Sequence, residues 1–208
     1  MPALANTSPG RKQENMKEGN ERKKGKEGKK SKTSRVQGEE FFSRDAVAVA
    51  KAILGATLVR RKGKKVIRCR IAETEAYHGL RDRASHASRG KTPRNAPMFG
   101  PAGRWYVYFT YGMHWMLNLV TGADALPSAV LIRAVILEDG TILNGPAKLT
   151  KYLGVGKAFN GKETSPKTGL WIERGRSVSS LRIRASSRVG VGYAGPYWSR
   201  RKWRFTML

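Results

Sequence analysis

Two carboxylates, Glu73 and Glu75, stand directly after an apolar run in residues 71–77, which read IAETEAY. Further along, an aromatic stretch that begins at Tyr106 ends at Tyr111 and a glycine. A positioned carboxylate can act as a general acid or base, and aromatic side chains can stack on a nucleobase. The chain also carries a formal net charge of +26, which attracts phosphate groups. These residue types together indicate chemistry on a nucleobase in DNA.

The composition indicates the class of protein and the class of partner. The 208 residues suit one domain plus a tail, and the apolar fraction of 39% is enough for a hydrophobic core. An excess of 41 Lys and Arg over 15 Asp and Glu predicts a polyanionic partner and salt-sensitive binding to nucleic acid. Composition alone favours a ribosomal or chromatin-type binding protein, so the site residues have to decide between that class and an enzyme.

The same composition excludes several kinds of site. Cys69 is the only cysteine, which rules out an intrachain disulfide, a Cys-rich zinc site and the paired-cysteine signature of a zinc deaminase. No apolar run approaches the roughly 18 residues of a membrane span, and the N-terminus lacks the apolar core of a secretory signal peptide. We therefore predict an intracellular protein that is located with the DNA, in a nucleoid or a nucleus, and does not bind a membrane.

The chain divides into a tail and a body. Residues 1–38 contain 11 Lys and Arg, 4 Glu and almost nothing to bury, which predicts a disordered basic tail. The lysine run in this tail fits a nuclear address, an arm that slides on DNA, or a solvated segment without a receptor. Residues 39–208 are predicted to form one domain, and they retain 30 Lys and Arg against 11 Asp and Glu. The body itself is therefore basic.

Hydropathy patterns predict the elements that position the two carboxylates. Ser43 is expected to cap a helix, whose apolar stripe would consist of Ala46, Val49, Ala50, Ile53 and Leu54. Residues 66–75 alternate as a strand, with Ile71 and the two preceding odd-numbered residues on one apolar face. Continuing this period places Glu73 and Glu75 on the same face, where buried carboxylates need partners.

Three further segments complete the surroundings of the site. Residues 78–104 form a long stretch rich in Gly, Arg and Pro, and a loop of this length in a compact domain is usually functional or disordered. Residues 104–110 and 113–120 are predicted to be two strands joined at a sharp turn. Residues 146–153 are predicted to form a short helix.

Arg133 is the strongest clue to a buried polar site. On spacing alone, a glutamate at the end of a strand is more often a surface carboxylate than a catalytic group. Arg133, however, interrupts the apolar strand predicted for residues 129–137, and a buried guanidinium needs a carboxylate. We expect it to pair with Glu75 or Glu73, and the sequence leaves both pairings open.

Two familiar patterns carry no cofactor site. Residues 190–195 match GxGxxG, but Pro196 follows at once and the chain lacks the helix and the acidic residue that a dinucleotide site needs. We interpret this segment as close backbone packing or as a turn that faces a phosphate. Residues 156–163 resemble a phosphate loop but have Glu163 where a hydroxyl must hold magnesium. We therefore predict no cofactor.

With these residues the chain resembles the alkyladenine DNA glycosylases, also called methylpurine or 3-methyladenine DNA glycosylases. The resemblance covers residues 41–205, nearly the whole body. The motifs that carry it are ETEAY at 73–77, SH at 85–86, KTPRN at 91–95, MF at 98–99, YVY at 106–108, YGM at 111–113, Asn118, LIRA at 131–134, GPAKL at 145–149 and RVGVGYAG at 188–195.

The resemblance implies a fold and an activity. The fold is a single mixed α+β domain around a curved antiparallel β-sheet with flanking helices. The activity is that of a monofunctional DNA glycosylase of base excision repair, which flips alkylated or deaminated purines out of the duplex and hydrolyses the N-glycosidic bond with a Glu-activated water. An abasic site is left behind. No metal is implied, the partner is double-stranded DNA with a damaged purine, and we predict a monomer.

The resemblance also implies a role for each matching residue. Glu75 matches the general base, and Arg133 matches the residue that holds the attacking water. Tyr111 matches the wedge that intercalates into DNA. The base pocket corresponds to Tyr77, His86, Tyr108 and Asn118. Contacts to the DNA backbone are expected from Arg89, Lys91, Arg94, Asn95 and Lys148.

Two other functions remain to be weighed against the glycosylase. One is a metal-dependent nuclease, with a ligand set made of Glu73, Glu75, Asp82 and His86. The other is a DNA or RNA binder without catalysis, which would bind with a steep salt dependence. The segment that follows Gly195 departs from the pattern of the family, and we expect it to alter phosphate contacts rather than the chemistry.

Overall fold

The computed structural model describes residues 37–123, 126–175, 178–179 and 182–208, so the predicted tail lies outside them except for its last two residues. The helices in this part are α1 (Glu39–Phe42), α2 (Ala46–Ala52), α3 (Pro146–Leu153) and α4 (Gly195–Ser199). The strands are β1 (Thr57–Lys62), β2 (Lys65–His78), β3 (Trp105–Thr110), β4 (His114–Thr121), β5 (Ser128–Leu137), β6 (Ile142–Asn144), β7 (Leu170–Glu173), β8 (Ile183–Ser186) and β9 (Arg204–Met207).

All described strands join one antiparallel sheet, which confirms the predicted α+β class. Its main path runs β3-β4-β5-β2-β1-β7, with β6 beside β5 and with β9 and β8 beyond the second half of β2. Strand β2 is central, because β5 pairs along one edge while β1 and then β9 pair along the other. Among the described residues, no helix is long and apolar enough to cross a bilayer.

The sheet separates a main core from a second face. Alternate residues of β3, β4 and β5, such as Val107, Leu117 and Ile132, pack into the main core with α2 and α3. The intervening residues, such as Tyr106 and Ala129, belong to a smaller cluster on the other side. This alternation is the normal period of a strand, and it leaves one face free to carry a pocket.

Helix α2 lies beneath β2, and the predicted apolar stripe faces the main core, although its last two residues, Ile53 and Leu54, lie beyond the end of the helix. Its stripe residues are fully or almost fully buried, and its Ala50 carbonyl accepts a 2.9 Å hydrogen bond from the Thr74 hydroxyl. The prediction that Ser43 caps this helix is wrong. The side chain of Asp45 accepts hydrogen bonds from the Val47 and Ala48 amides, whereas the Ser43 hydroxyl donates to the Glu39 carbonyl. A carboxylate one residue before the first helical position reaches these free amides.

A double register shift in β2 decides which face the carboxylates occupy. Ile71 and Ala76 both pack in the main core although they are an odd number of positions apart, which strict alternation forbids. The pairing with β5 slips between Ile71 and Glu73 and again between Glu73 and Thr74, as at a β-bulge. The prediction that Glu73 and Glu75 continue the apolar face is therefore wrong, because these irregularities turn them toward the opposite side.

Candidate active site

A cavity of about 670 Å³ opens on the second face of the sheet. Its floor comes from β4 and β5, its walls from the aromatic residues of β2 and β3, and its rim from residues 83–98 and 189–193. A cavity of this size lies in the range of small-molecule sites, which are lined by apolar groups with a few placed polar atoms. The sheet therefore offers a pocket large enough for a purine.

Glu75 is fully buried beside this cavity, not in bulk solvent. Its Oε1 accepts a 2.8 Å hydrogen bond from the Val189 amide, and its Oε2 accepts one of 2.8 Å from the Tyr77 hydroxyl. The Arg133 guanidinium lies 3.5 Å from Oε1. All three partners line the cavity, so the carboxylate is held directly behind its wall.

Arg133 reaches both carboxylates, so both of the pairings left open by the sequence are present. Its Nε donates a 3.0 Å hydrogen bond to Oε1 of Glu73, while Nη1 faces Glu75. Arg204 of β9 lies 3.6 Å from the same Glu73 oxygen. Two guanidinium groups therefore lie against these two carboxylates and offset their charge.

Burial and hydrogen bonding shift the pKa of Glu75 in opposite directions. Burial raises the pKa of this carboxyl above its ordinary 4.5, while Arg133, the Val189 amide, the Tyr77 hydroxyl and Arg188 oppose the rise. The pKa of Tyr77 is held well above 10, first by burial and then by the adjacent Glu75. Tyr77 therefore remains a donor at neutral pH, and it donates to Glu75.

The aromatic wall consists of Tyr77, His86, Tyr106 and Tyr108, all of which line the cavity. His86 Nδ1 lies 2.8 Å from the Tyr106 hydroxyl, and its ring meets Tyr108 edge-on at 4.7 Å. Burial, and after it Arg94 and Arg89, lower the pKa of His86 below 6.5, while burial raises that of Tyr108 to about 12. The wall therefore presents uncharged rings and hydrogen-bonding groups to whatever enters at neutral pH.

Asn118 forms part of the pocket floor. It is buried on β4, between Tyr106 of β3 and Leu131 of β5 in the pairing register. Its Nδ2 donates to the carbonyls of Tyr106 and Met116, at 3.1 and 3.4 Å. These bonds fix the amide, so the floor has a rigid polar group at one point.

Tyr111 projects from the tip of the β3–β4 hairpin. It is 83% exposed, and it is the one residue other than glycine with positive φ in the described part of the chain, at 52°. Gly112 follows with a φ of 66°, and the Met113 amide donates to the Thr110 carbonyl to close the turn. Positive φ at both central positions is the type I′ pattern, in which Asn-Gly is preferred. A tyrosine held there costs backbone energy, which is characteristic of functional positions.

Part of the rim of the cavity is basic, since Arg89 and Arg94 line it. Arg89, Lys91, Arg94 and Lys148 are exposed, and Arg94 also donates to the Phe109 carbonyl and lies over the Tyr108 ring.

Asn95 differs from the prediction, because it is only 2% exposed. Its Nδ2 donates to the His86 and Gly90 carbonyls and its Oδ1 accepts the Thr92 amide. A contact from Asn95 to the DNA backbone does not fit this burial.

The comparisons with known proteins identify the family. The model of the methylpurine-DNA glycosylases matches residues 40–208. The chain belongs to this family. A curated relative from Anaeromyxobacter dehalogenans, named "Putative 3-methyladenine DNA glycosylase", is 44% identical over 171 residues, which cover 81% of this chain and 82% of the relative. Relatives with the same name from Carboxydothermus hydrogenoformans and Methanocella arvoryzae are 43% and 41% identical, and cover 73% and 80% of this chain and 86% and 89% of the relatives.

Membership of the methylpurine-DNA glycosylase family confirms the resemblance and the predicted class of enzyme. The chain is a DNA glycosylase, which is a hydrolase that acts on N-glycosyl bonds. DNA is accordingly its class of substrate, as the net charge of the body suggested.

Sequence reasoning missed the part that Arg188 and Asp82 take in this glycosylase site. Both side chains are 0% exposed, and they form a two-pronged ion pair at 2.5 and 2.9 Å. The Asp82 carboxylate also accepts the amides of His78 and Ala84. Arg188 belongs to one of the motifs that carry the resemblance, but no local sequence pattern links it to Asp82, which lies 106 positions earlier in the chain. Asp82 had been considered as a metal ligand, and these partners occupy its oxygens.

Proposed function

We propose that this protein is a monofunctional DNA glycosylase of base excision repair, with alkylated or deaminated purines in duplex DNA as its substrates. It flips the damaged nucleotide into the cavity and hydrolyses the N-glycosidic bond with a water activated by Glu75, leaving an abasic site. We further propose that it works as a monomer, inside the cell, where double-stranded DNA lies. The buried Glu75 carboxylate behind an aromatic cavity carries this proposal.

Glu75 has the surroundings that a general base needs. It is excluded from bulk water, yet it is bonded to three groups that line the cavity. Arg133 stands beside it, with a side chain that is 15% exposed, and so can hold a water against the carboxylate. Proton transfer from that water to Glu75, together with the negative charge of Glu75 beside an electron-poor sugar, lowers the barrier to base departure.

The aromatic wall favours damaged purines over normal ones. A flipped base stacks on Tyr77, Tyr108 and His86, and each aromatic face contributes on the order of 1–3 kcal/mol. An alkylated purine that carries positive charge gains an additional attraction to electron-rich rings and leaves the sugar more readily. Asn118, fixed at the floor, excludes the exocyclic amine of normal guanine.

Tyr111 and the basic rim account for base flipping. Extrusion of a nucleotide costs a few kcal/mol of lost stacking and pairing. An aromatic wedge inserted between base steps, here the exposed Tyr111, fills the space left behind. Arg89, Lys91, Arg94 and Lys148 contact phosphates around the cavity and hold the duplex in place.

The contacts of the site favour neither of the alternative functions. For a nuclease, the oxygens of Asp82 would have to leave Arg188, with which they are buried, and breaking a buried pair is strongly unfavourable. For a binder without catalysis, a buried carboxylate would bring only the cost of its desolvation.

Incubation with single-lesion duplexes, with and without EDTA, tests the proposed function. The panel contains hypoxanthine, ethenoadenine and methylated purines, and released bases are measured together with strand integrity. We expect free damaged base and an intact strand that breaks only after alkaline treatment of the abasic site. Direct nicking that disappears in EDTA, or tight binding without any released base, would contradict the proposal.

A further inference from the structure

The strongest feature not yet given a role is a buried stack of three groups behind the cavity. The Arg188 guanidinium lies over two rings, with the centroid of Tyr77 at 4.7 Å and that of Trp203 at 5.1 Å from its central carbon. Its in-plane nitrogens donate to both oxygens of Asp82 and to the carbonyls of Ala76 and Trp198. The two terminal nitrogens of the cation are therefore hydrogen-bonded and two rings lie against it, while its buried Nε has no hydrogen-bond partner among the described groups.

This stack is connected to both hydrogen-bond donors that hold Glu75. The first donor, the Tyr77 hydroxyl, belongs to the ring on which Arg188 lies. The second donor, the Val189 amide, belongs to the residue that directly follows Arg188 in the chain. Asp82 thus contacts Arg188, and Arg188 in turn contacts or directly precedes the residues of both donors.

We propose that Arg188, locked by Asp82, is a positioning residue for Glu75. It holds the Tyr77 ring by stacking and the Val189 amide through the backbone, and its own side chain is 0% exposed. This inference rests on the proposed function, since it assigns a purpose to the geometry of the general base. A buried ion pair costs desolvation energy and so contributes little to stability. This cost is consistent with a role of the Arg188–Asp82 pair in fixing the position of Glu75.

Three variants test the proposal. Arg188→Lys keeps the charge but loses the planar fork and the stacking surface. Asp82→Asn keeps the shape of the acid but removes its charge. Arg60→Lys is the matched control, because Arg60 lies over the Phe159 ring at 4.6 Å and donates to the Leu153 carbonyl, without any described contact to Tyr77 or Asp82. Melting curves and affinity for an abasic-site duplex establish that each variant is folded.

The pH dependence of single-turnover base release provides the decisive readout. We expect Arg188→Lys and Asp82→Asn each to lose about tenfold or more in rate at neutral pH, a barrier increase of about 1.4 kcal/mol, with duplex affinity within about twofold of wild type. In Arg188→Lys the acid limb of the pH–rate profile, where the rate falls as Glu75 is protonated, should move to higher pH. The reason is that the Tyr77 hydroxyl then donates a weaker hydrogen bond to the Glu75 carboxylate. In Asp82→Asn the acid limb should move to lower pH, since the positive charge of Arg188 is no longer offset. Arg60→Lys should match wild type.

Several charged or titratable groups face Glu75 and have to stay constant across these variants. They are Arg133, Arg188, Arg204, Glu73, Tyr77 and Tyr108. A purely structural role would lower the active fraction without moving the acid limb. That result, or wild-type rates in both Arg188→Lys and Asp82→Asn, overturns the proposal.

A second readout separates this inference from the proposed function. The carboxyl infrared band of Glu75, assigned by subtraction of a Glu75→Gln spectrum, follows the titration of Glu75 in the protein alone. We expect the same opposite displacements of its titration in Arg188→Lys and Asp82→Asn. If wild type releases no base, the proposed function fails while this measurement still tests the positioning. If wild type is active and the band titrates alike in all variants, only the positioning fails.

Discussion

The Tyr77 hydroxyl donates a 2.8 Å hydrogen bond to Oε2 of Glu75, which lies two residues earlier on the same strand. Residues two apart on a strand share a face, so this contact follows directly from the regular part of β2 beyond its register shifts. It joins a ring of the pocket wall to the proposed general base. The pKa of Glu75 therefore depends on the side chain that we also propose to contact the base.

Tyr77→Phe should displace the acid limb of the pH–rate profile to higher pH. In wild type the hydrogen bond from the Tyr77 hydroxyl opposes the rise in the pKa of Glu75. Without this bond the carboxylate is protonated at a higher pH, so a smaller fraction of the enzyme has an ionised Glu75 at any pH near that pKa. A hydrogen bond to a charged group contributes about 1.5–3 kcal/mol, so we expect a rate loss of about tenfold or more at neutral pH. Single-turnover base release between acidic and neutral pH measures both effects.

A suitable control for this variant is Tyr152→Phe, which removes a hydroxyl from an exposed residue of α3. It should leave the profile unchanged. An unshifted acid limb in Tyr77→Phe would show that this hydroxyl does not tune the general base.

Tyr111→Asn should stabilise the fold while it impairs the enzyme. Asn tolerates positive φ better than Tyr, and a residue in that region costs on the order of 1 kcal/mol of strain. We therefore expect a higher melting temperature together with slower base release from duplex DNA. Release from a single strand, which needs no wedge, should change much less.

Tyr111→Phe is the matched variant for the wedge, because it keeps the ring and the strain. Its rate on duplex DNA should remain close to that of wild type. Equal losses on duplex and single strand in Tyr111→Asn would refute intercalation by this side chain.

Lys148→Ala should weaken binding to duplexes of any sequence to a similar extent. One phosphate contact fewer reduces the slope of log affinity against log salt by about 0.9. Lys64→Ala provides the control: Lys64 lies in the β1–β2 turn, eleven positions before Glu75 in the chain, a distance of about 36 Å along an extended strand. An identical slope change in both variants would indicate that the contacts are not confined to the rim of the cavity.

The sequence predicted the elements of the fold better than the faces that they present. The helix after Asp45, the hairpin at Tyr111 and the helix at residues 146–153 were predicted because each has a local hydropathy pattern or turn residue. The face of Glu75 was not, because it depends on register shifts between β2 and β5. Register is a property of two paired strands, and neither strand alone encodes it.

The candidate site was predicted to a similar degree. The pairing of Arg133 with Glu73 and Glu75 followed from the cost of a buried guanidinium. The burial of Asn95 and the pairing of Asp82 with Arg188 did not, because both depend on how a long loop folds back on the body. Such contacts between distant segments leave no periodic signal in the sequence.

Glu75→Gln should retain the fold, and it provides the sharpest test of the proposed chemistry. Burial raises the pKa of Glu75 in the folded protein above its value in the unfolded chain, so the folded state binds the proton more strongly. The ionised carboxylate therefore costs stability as pH rises through the folded pKa. Gln avoids this cost, and the variant should melt at or above the temperature of wild type at neutral pH, with the difference shrinking at lower pH.

The central claim is tested most directly by single-turnover base release from a hypoxanthine or methylated-purine duplex, with Glu75→Gln beside wild type. Affinity for the same duplex is measured in parallel. We expect affinity within a few-fold of wild type and a loss of base release of about 10²–10⁴-fold, the usual contribution of a general base. Release by Glu75→Gln at the wild-type rate would contradict the account.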